Sequence, residues 1–152
     1  MKISTRGRYS LMFMLSLAKY DGQGCKSVKA IATENNISDL YLEQLIGPLR
    51  EAELVTSVRG ARGGYKLNKS PEKIFIGEIL RLVEGPIQMV EPMDIEPKES
   101  QLLWSRMTQS IKDILDTTSL HDLISSNSDE LSDGYMFYIC LLYTSPSPRD
   151  RG

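Results

Sequence analysis

Histidine occurs once and cysteine twice in this 152-residue sequence, and no apolar run approaches membrane-spanning length. With His121 alone, no paired catalytic carboxylates, no phosphate-cradling Walker-type loop and no metal-ligand spacing, the sequence argues against an enzyme. Cys25 and Cys140 are too few and too far apart for a disulfide framework. A membrane helix would need about 18 consecutive apolar residues, and none are present. Lys2, Arg6 and Arg8 precede Leu11-Met12-Phe13-Met14-Leu15 in a faint imitation of a secretory signal. Ser16 and Lys19 interrupt that stretch, so it reads as a buried helix, and the chain is expected in the cytoplasm.

Hydrophobic residues make up 41% and charged residues 25%, ordinary values for a folded chain of one domain, or of one small domain with a helical arm. The net charge of −2 hides an asymmetry. Residues 1–66 hold ten Lys or Arg against six Asp or Glu, a net of +4, whereas residues 67–152 hold eight against fourteen, a net of −6. The basic part suits a polyanion that would repel the acidic part.

Apolar residues from Thr5 to Tyr20 fall on two adjoining helical stripes: Tyr9, Met12, Phe13, Leu17 and Tyr20, and Leu11, Met14, Leu15 and Ala18. Such a helix must be covered on more than one side. Asp21-Gly22-Gln23-Gly24 ends it. Ser27 is placed to cap a helix over Val28–Asn35, and after the turn Asn35-Asn36-Ile37, Ser38 is placed to cap a second from Asp39. The second buries Leu42, Leu45, Ile46 and Leu49 and leaves Asp39, Tyr41, Glu43, Gln44 and Arg50 more exposed. Pro48 is expected to tighten or bend it near Gly47. Two short helices joined by a turn of about four residues describe a helix-turn-helix.

Leu54–Val58 and Tyr65–Leu67 read as strands around a basic turn, Arg59-Gly60-Ala61-Arg62-Gly63-Gly64. Ile74–Val83 reads as a helix halted by Gly85-Pro86, followed by a Pro- and acid-rich connector. Pro97 opens a long helix with Leu103, Met107, Ile111, Ile114 and Leu115 on an apolar stripe that wants a partner. Thr118 is placed to cap a last short helix through Ile124. The fold class is therefore mostly α with a small β-hairpin: a winged helix-turn-helix DNA-binding domain plus a long dimerisation helix. The expected organisation is 1–85 for the DNA-binding domain and 86–125 for the connector and dimerisation helices. A mobile tail at 126–152 completes it, with 140–152 reading as an appended, non-native segment.

Taken singly, a helix pair, a glycine-rich turn or an exposed arginine signals little. Their order within 66 residues, with local positive charge, points to duplex DNA. The second short helix suits a major groove, where Gln44 can pair with adenine, Glu43 can accept from cytosine and Ser38 and Tyr41 offer hydroxyls. Arg59 and Arg62 on the wing, with Arg50, Lys2, Arg6 and Arg8, suit phosphates or the adjacent minor groove. Gly63 and Gly64 permit close backbone approach. Leu103, Met107, Ile111, Ile114 and Leu115 would join two copies on an approximately palindromic operator.

These residues also carry a family resemblance. Met1-Lys2-Ile3-Ser4-Thr5-Arg6-Gly7-Arg8-Tyr9, Tyr41-Leu42-Glu43-Gln44-Leu45 and Val58-Arg59-Gly60-Ala61-Arg62-Gly63-Gly64-Tyr65 resemble the Rrf2 family of winged-helix regulators. Leu82-Val83-Glu84-Gly85-Pro86-Ile87 and Gly134-Tyr135-Met136-Phe137-Tyr138-Ile139 resemble, more narrowly, its repressors of cysteine metabolism, so that the likeness covers about residues 1–139. Cluster-binding members place three cysteines between wing and dimer helix. Residues 84–104 contain none, so an iron–sulfur cluster lacks its thiolates and no cofactor is expected. The resemblance implies repression of sulfur-uptake and cysteine-synthesis genes, with cysteine synthase as protein corepressor and O-acetylserine weakening that complex.

Two alternatives stay open. The helix-turn-helix can serve protein assembly alone, which weak salt dependence would reveal. Cys25, beside Lys26 and Lys29, can be an oxidation-sensitive thiol or a small semi-buried residue at a helix junction.

Overall fold

Serine hydroxyls open four of the helices. Ser4 Oγ accepts from the Gly7 N–H ahead of α1 (Thr5–Lys19) and Ser27 Oγ from the Ala30 N–H ahead of α2 (Val28–Asn35). Ser38 Oγ likewise accepts from the Tyr41 N–H ahead of α3 (Asp39–Glu51). Each hydroxyl satisfies a donor that the first helical turn leaves unpaired. In this computed structural model, which describes residues 2–126, the chain continues through an antiparallel hairpin of β1 (Val55–Val58) and β2 (Gly64–Leu67). It then forms α4 (Ile76–Glu84), the long α5 (Lys98–Thr117) and α6 (Leu120–Ser125). The expected tail from residue 127 onward, with Cys140 and the 135–139 apolar patch, lies outside the described residues.

The helix α1 is the centre of the core. Phe13 and Met14 are fully buried and Leu17 and Ala18 nearly so, because α2, α3, β2, α4 and α6 all pack around the helix. This is the covering that two apolar stripes require. Beneath α2, Asn35 Nδ2 donates to Ser16 Oγ at 3.0 Å and to the Ile31 carbonyl at 2.9 Å. The turn between α2 and α3 passes through Asn36 in the left-handed region, φ 56°, a conformation asparagine tolerates. The helix α3 continues as one element through Pro48.

Two expected helix starts differ. Residues 74 and 75 are extended rather than helical, following a short 3-10 turn at Pro71–Lys73. Their backbone is used elsewhere: the Ile76 N–H donates to the Thr118 carbonyl and the Leu120 N–H to the Ile74 carbonyl, each at 2.9 Å. The last helix is capped by Ser119 instead of Thr118. Ser119 Oγ accepts from the Asp122 N–H at 3.1 Å, and Asp122 Oδ2 accepts from the Ser119 N–H at 2.9 Å. Thr118 turns back to donate to the Ile114 carbonyl at 2.6 Å, closing α5.

The helix α5 packs on α4 and is held there by a two-pronged ion pair. Arg81 Nη1 and Nη2 donate to Asp116 Oδ1 and Oδ2 at 2.6 and 2.9 Å. The Arg81 guanidinium lowers the Asp116 carboxyl below its ordinary range, and the same hydrogen bonds raise Arg81. Gly77 makes the approach possible, since a Cβ there would overlap the Asp116 carboxylate. No described helix is long and apolar enough to cross a membrane.

The hairpin is fastened to the helical body by backbone. The Lys26 N–H donates to the Tyr65 carbonyl at 2.9 Å and the Tyr65 N–H to the Lys26 carbonyl at 2.8 Å. Gly64 must pass directly over that pair at φ +156°, and a Cβ on it would overlap the Lys26 carbonyl oxygen. Gly64→Ala is therefore expected to cost about 1–3 kcal/mol of stability, read by chemical denaturation. A change within about 0.5 kcal/mol, the range of an ordinary surface substitution, would show that the hairpin is not seated this tightly.

Candidate nucleic-acid interface

Ser38, Asp39, Leu40, Glu43 and Gln44 are all exposed on the N-terminal half of α3, while Leu42, Leu45, Ile46 and Leu49 on its other face are buried. The helix therefore presents a solvated edge in the turn that a major groove would receive. Of the residues expected on this edge, Tyr41 departs. It is half-buried, its ring edge-on to Tyr9 with centroids 5.7 Å apart and an interplanar angle of 78°. Tyr41 lies beside Leu42 and four residues before Leu45, so it flanks the buried stripe rather than the open face. Leu40 escaped the sequence reading although it is 75% exposed. The usable signal was its place three residues before Glu43 and four before Gln44.

On the wing, Arg59 and Arg62 are exposed. Arg50 is exposed too, but its Nη1 donates to the Tyr65 hydroxyl at 3.0 Å, tying the end of α3 to β2. Gly63 and Gly64 are half-buried, and crowding within the chain accounts for both. A Cβ at Gly63 would overlap the Val58 carbonyl, as one at Gly64 would overlap that of Lys26. Lys2, Arg6 and Arg8 are exposed around the start of α1. That start is tied to the end of α4, because the Ser4 N–H and Oγ donate to Glu84 Oε2 at 2.8 and 2.7 Å. The Glu84 carboxylate thus lies at the positive end of α1, a favourable placement.

Cys25 is half-buried at the wing, where its thiol donates to the Arg62 carbonyl with Sγ and O 2.9 Å apart. The neighbouring Lys26 ammonium is engaged by the Glu34 carboxylate and lies 5.4 Å from the centroid of the Tyr20 ring. His121 is exposed on α6, its Nε2 3.1 Å from Ser125 Oγ. Along α5, Leu103, Met107 and Ile114 are exposed, whereas Ile111 is half-buried. Leu115 turns inward against the core.

A family model described as "Rrf2: Iron-dependent Transcriptional regulator" matches residues 3–126. The chain is 50% identical over 139 residues to the HTH-type transcriptional regulator CymR of Bacillus subtilis (strain 168), covering 91% of this chain and 100% of that protein. The solved structure of CymR, the global cysteine regulator of B. subtilis, is similar with a TM-score of 0.80 at 50% identity, over 85% of this chain and 99% of that one. The oxidized form of Staphylococcus aureus CymR gives a TM-score of 0.72 at 56% identity, over 81% and 95% of the two chains.

Among the described residues, the iron in the family description finds no fitting donors. The connector offers Glu91, Asp94 and Glu96 but neither thiol nor imidazole, and Cys25 stands apart at the wing. Among the described residues, no three His, Cys, Asp or Glu side chains converge, so neither an iron–sulfur cluster nor a lone iron ion has a ligand set. What the fold does display is a helix-turn-helix with one edge of α3 exposed and a wing that carries exposed Arg59 and Arg62. The chain belongs to the Rrf2 family of helix-turn-helix transcriptional regulators, DNA-binding proteins rather than enzymes.

Proposed function

We propose that this chain is a homodimeric repressor of cysteine and sulfur metabolism genes. The observation that carries the reading is the pairing of an open α3 edge with exposed Arg59 and Arg62, in a chain half identical to CymR. Residues 1–85 act as the reading head and residues 86–125 join two heads. Leu103, Met107 and Ile114, exposed along α5 at helical spacing, form the ridge of the dimer, with Ile111 at its flank. Two α3 helices about 34 Å apart then enter successive major grooves of an approximately palindromic operator. Ser38, Glu43 and Gln44 meet base edges. Arg59, Arg62, Lys2, Arg6 and Arg8 meet phosphates or the neighbouring minor groove, while Arg50 holds the wing in place. Cysteine synthase serves as corepressor, as the resemblance to cysteine-metabolism repressors implies.

Genome-wide DNA footprinting with and without cysteine synthase tests target, operator and corepressor together. Enrichment upstream of sulfur genes, deepened by cysteine synthase, is the expected result. A purified chain with no preference for any duplex over random fragments at low salt overturns it. Steeply salt-dependent binding separates this reading from a helix-turn-helix used for assembly alone.

A second reading is supported by the Cys25–Arg62 contact and by the oxidized form in which S. aureus CymR has been solved. Oxidation of the thiol by hydrogen peroxide yields a sulfenic acid and water. It adds an oxygen beside the Arg62 carbonyl, where the thiol now donates, and shifts the wing. Peroxide is expected to weaken operator binding by the wild type and leave Cys25→Ser unaffected. Equal responses of the two proteins would remove Cys25 from the mechanism.

Two substitutions probe the DNA-binding dimer. Arg59→Ala is expected to cost about 1–3 kcal/mol of operator binding with no loss of melting temperature. Unchanged affinity would release the wing from its role. Leu103 is 48% exposed, so Leu103→Asp spares the core and is expected to sediment as a monomer. A persistent dimer would place the interface elsewhere.

A further inference from the structure

We infer that Leu40 is a sequence-reading residue, its apolar side chain taking the 5-methyl group of one thymine in each operator half-site. The inference rests on the proposal that α3 enters the major groove, and it adds a base and an atom to that reading.

The helix α3 sorts its apolar residues strictly. Leu42 and Leu49 are 0% exposed, Ile46 1% and Leu45 2%, whereas Leu40 is 75% exposed. Leu40 is the second residue of α3, in a turn whose backbone is fixed by the hydrogen bond from the Tyr41 N–H to Ser38 Oγ at 3.1 Å. Its side chain therefore projects from a rigid base and shares a face with Glu43 and Gln44.

The chemistry of that face selects the partner. Asp39 and Glu43 are exposed carboxylates next to Leu40, and both repel phosphate, so this turn does not ride on the DNA backbone. Carboxylates are tolerated at base edges, where cytosine presents an amino donor, and Gln44 matches the donor–acceptor pair of adenine. Neither of these side chains reads the thymine methyl. In the major groove that methyl is the apolar feature of the four bases, and an apolar side chain is its complement. The polar surroundings equally disfavour a protein partner, which would have to bury Asp39 and Glu43 to reach a single leucine.

Deoxyuridine supplies a probe that differs from thymidine by this methyl alone, with pairing and the O4 acceptor unchanged. Each thymine of a bound operator is replaced in turn, symmetrically in both half-sites, and titrated with the full-length protein. One position is expected at which the exchange weakens wild-type binding about fourfold per half-site, the worth of one buried methyl. Leu40→Ala binds the thymine operator more weakly by a similar factor and makes no distinction between thymine and uracil there. Leu40→Met, which keeps apolar reach, retains the distinction. The inference is overturned if no thymine-to-uracil exchange affects the wild type, or if Leu40→Ala discriminates as well as the wild type does. Should Leu40→Ala fail to fold, the uracil scan of the wild type and Leu40→Met still decides. A wild type that binds no duplex at all overturns the operator-binding reading itself, a result distinct from binding that ignores the methyl.

Discussion

The geometry of the reading head depends on one face of α1. Tyr9 meets Tyr41 of α3 edge-on, and Phe13 meets Tyr65 of β2 edge-on with centroids 6.1 Å apart. Phe13 lies four positions after Tyr9, about 6 Å along the helix, so α3 and the wing rest on successive turns of one buried element. The hydrogen bond from Arg50 to the Tyr65 hydroxyl closes the triangle. A wing of two four-residue strands has too little surface to hold a position alone. Its place relative to α3 is set by aromatic packing below, and by the backbone pair at Lys26 beside it.

That arrangement separates side chains that position from side chains left free to bind. Tyr41 and Arg50 lie within the expected DNA-facing set, and both also take part in the triangle. Among the described residues, the side chains of Arg59 and Arg62 have no such engagement, and both are exposed. The two glycines that precede Tyr65 belong with the positioning group, since backbone crowding at Val58 and Lys26 forbids a side chain there. Cys25 lies at the joint between the two groups, because its thiol touches the carbonyl of a free arginine from the element that seats the wing.

Much of the architecture could be read in advance because its signals are local. Ser27 and Ser38 announce helix starts within three residues, and the stripe at Leu42, Leu45, Ile46 and Leu49 fixes the inner face of α3. What sequence could not show depends on distant partners. Ile74 and Phe75 have helical neighbours but pair with residues around Ser119. Tyr41 is polar enough to suggest exposure until Tyr9 is seen beside it. Leu115 continues the stripe of Leu103 and Met107 by spacing, yet it packs against the core, beside the Arg81–Asp116 pair where α5 meets α4. Leu40 was passed over for the opposite reason: an isolated apolar residue attracts notice only when its neighbours are known to be solvated.

The Arg81–Asp116 pair is better understood through geometry than through energy. An exposed ion pair contributes about 0–1 kcal/mol, too little to explain why α4 keeps Gly77 under it at a cost in helix propensity of about 1 kcal/mol relative to alanine. Two parallel hydrogen bonds between planar groups instead fix an orientation, here that of α5 against the reading head. In the proposed dimer this orientation sets the distance between recognition helices, and a groove-reading pair tolerates little error in that distance. The connector carries neither thiol nor imidazole through which a bound metal could pull α5 to a new angle. An effector that moved α5 would work against the α4–α5 contact, while one acting at Cys25 would reach the wing through the Arg62 carbonyl.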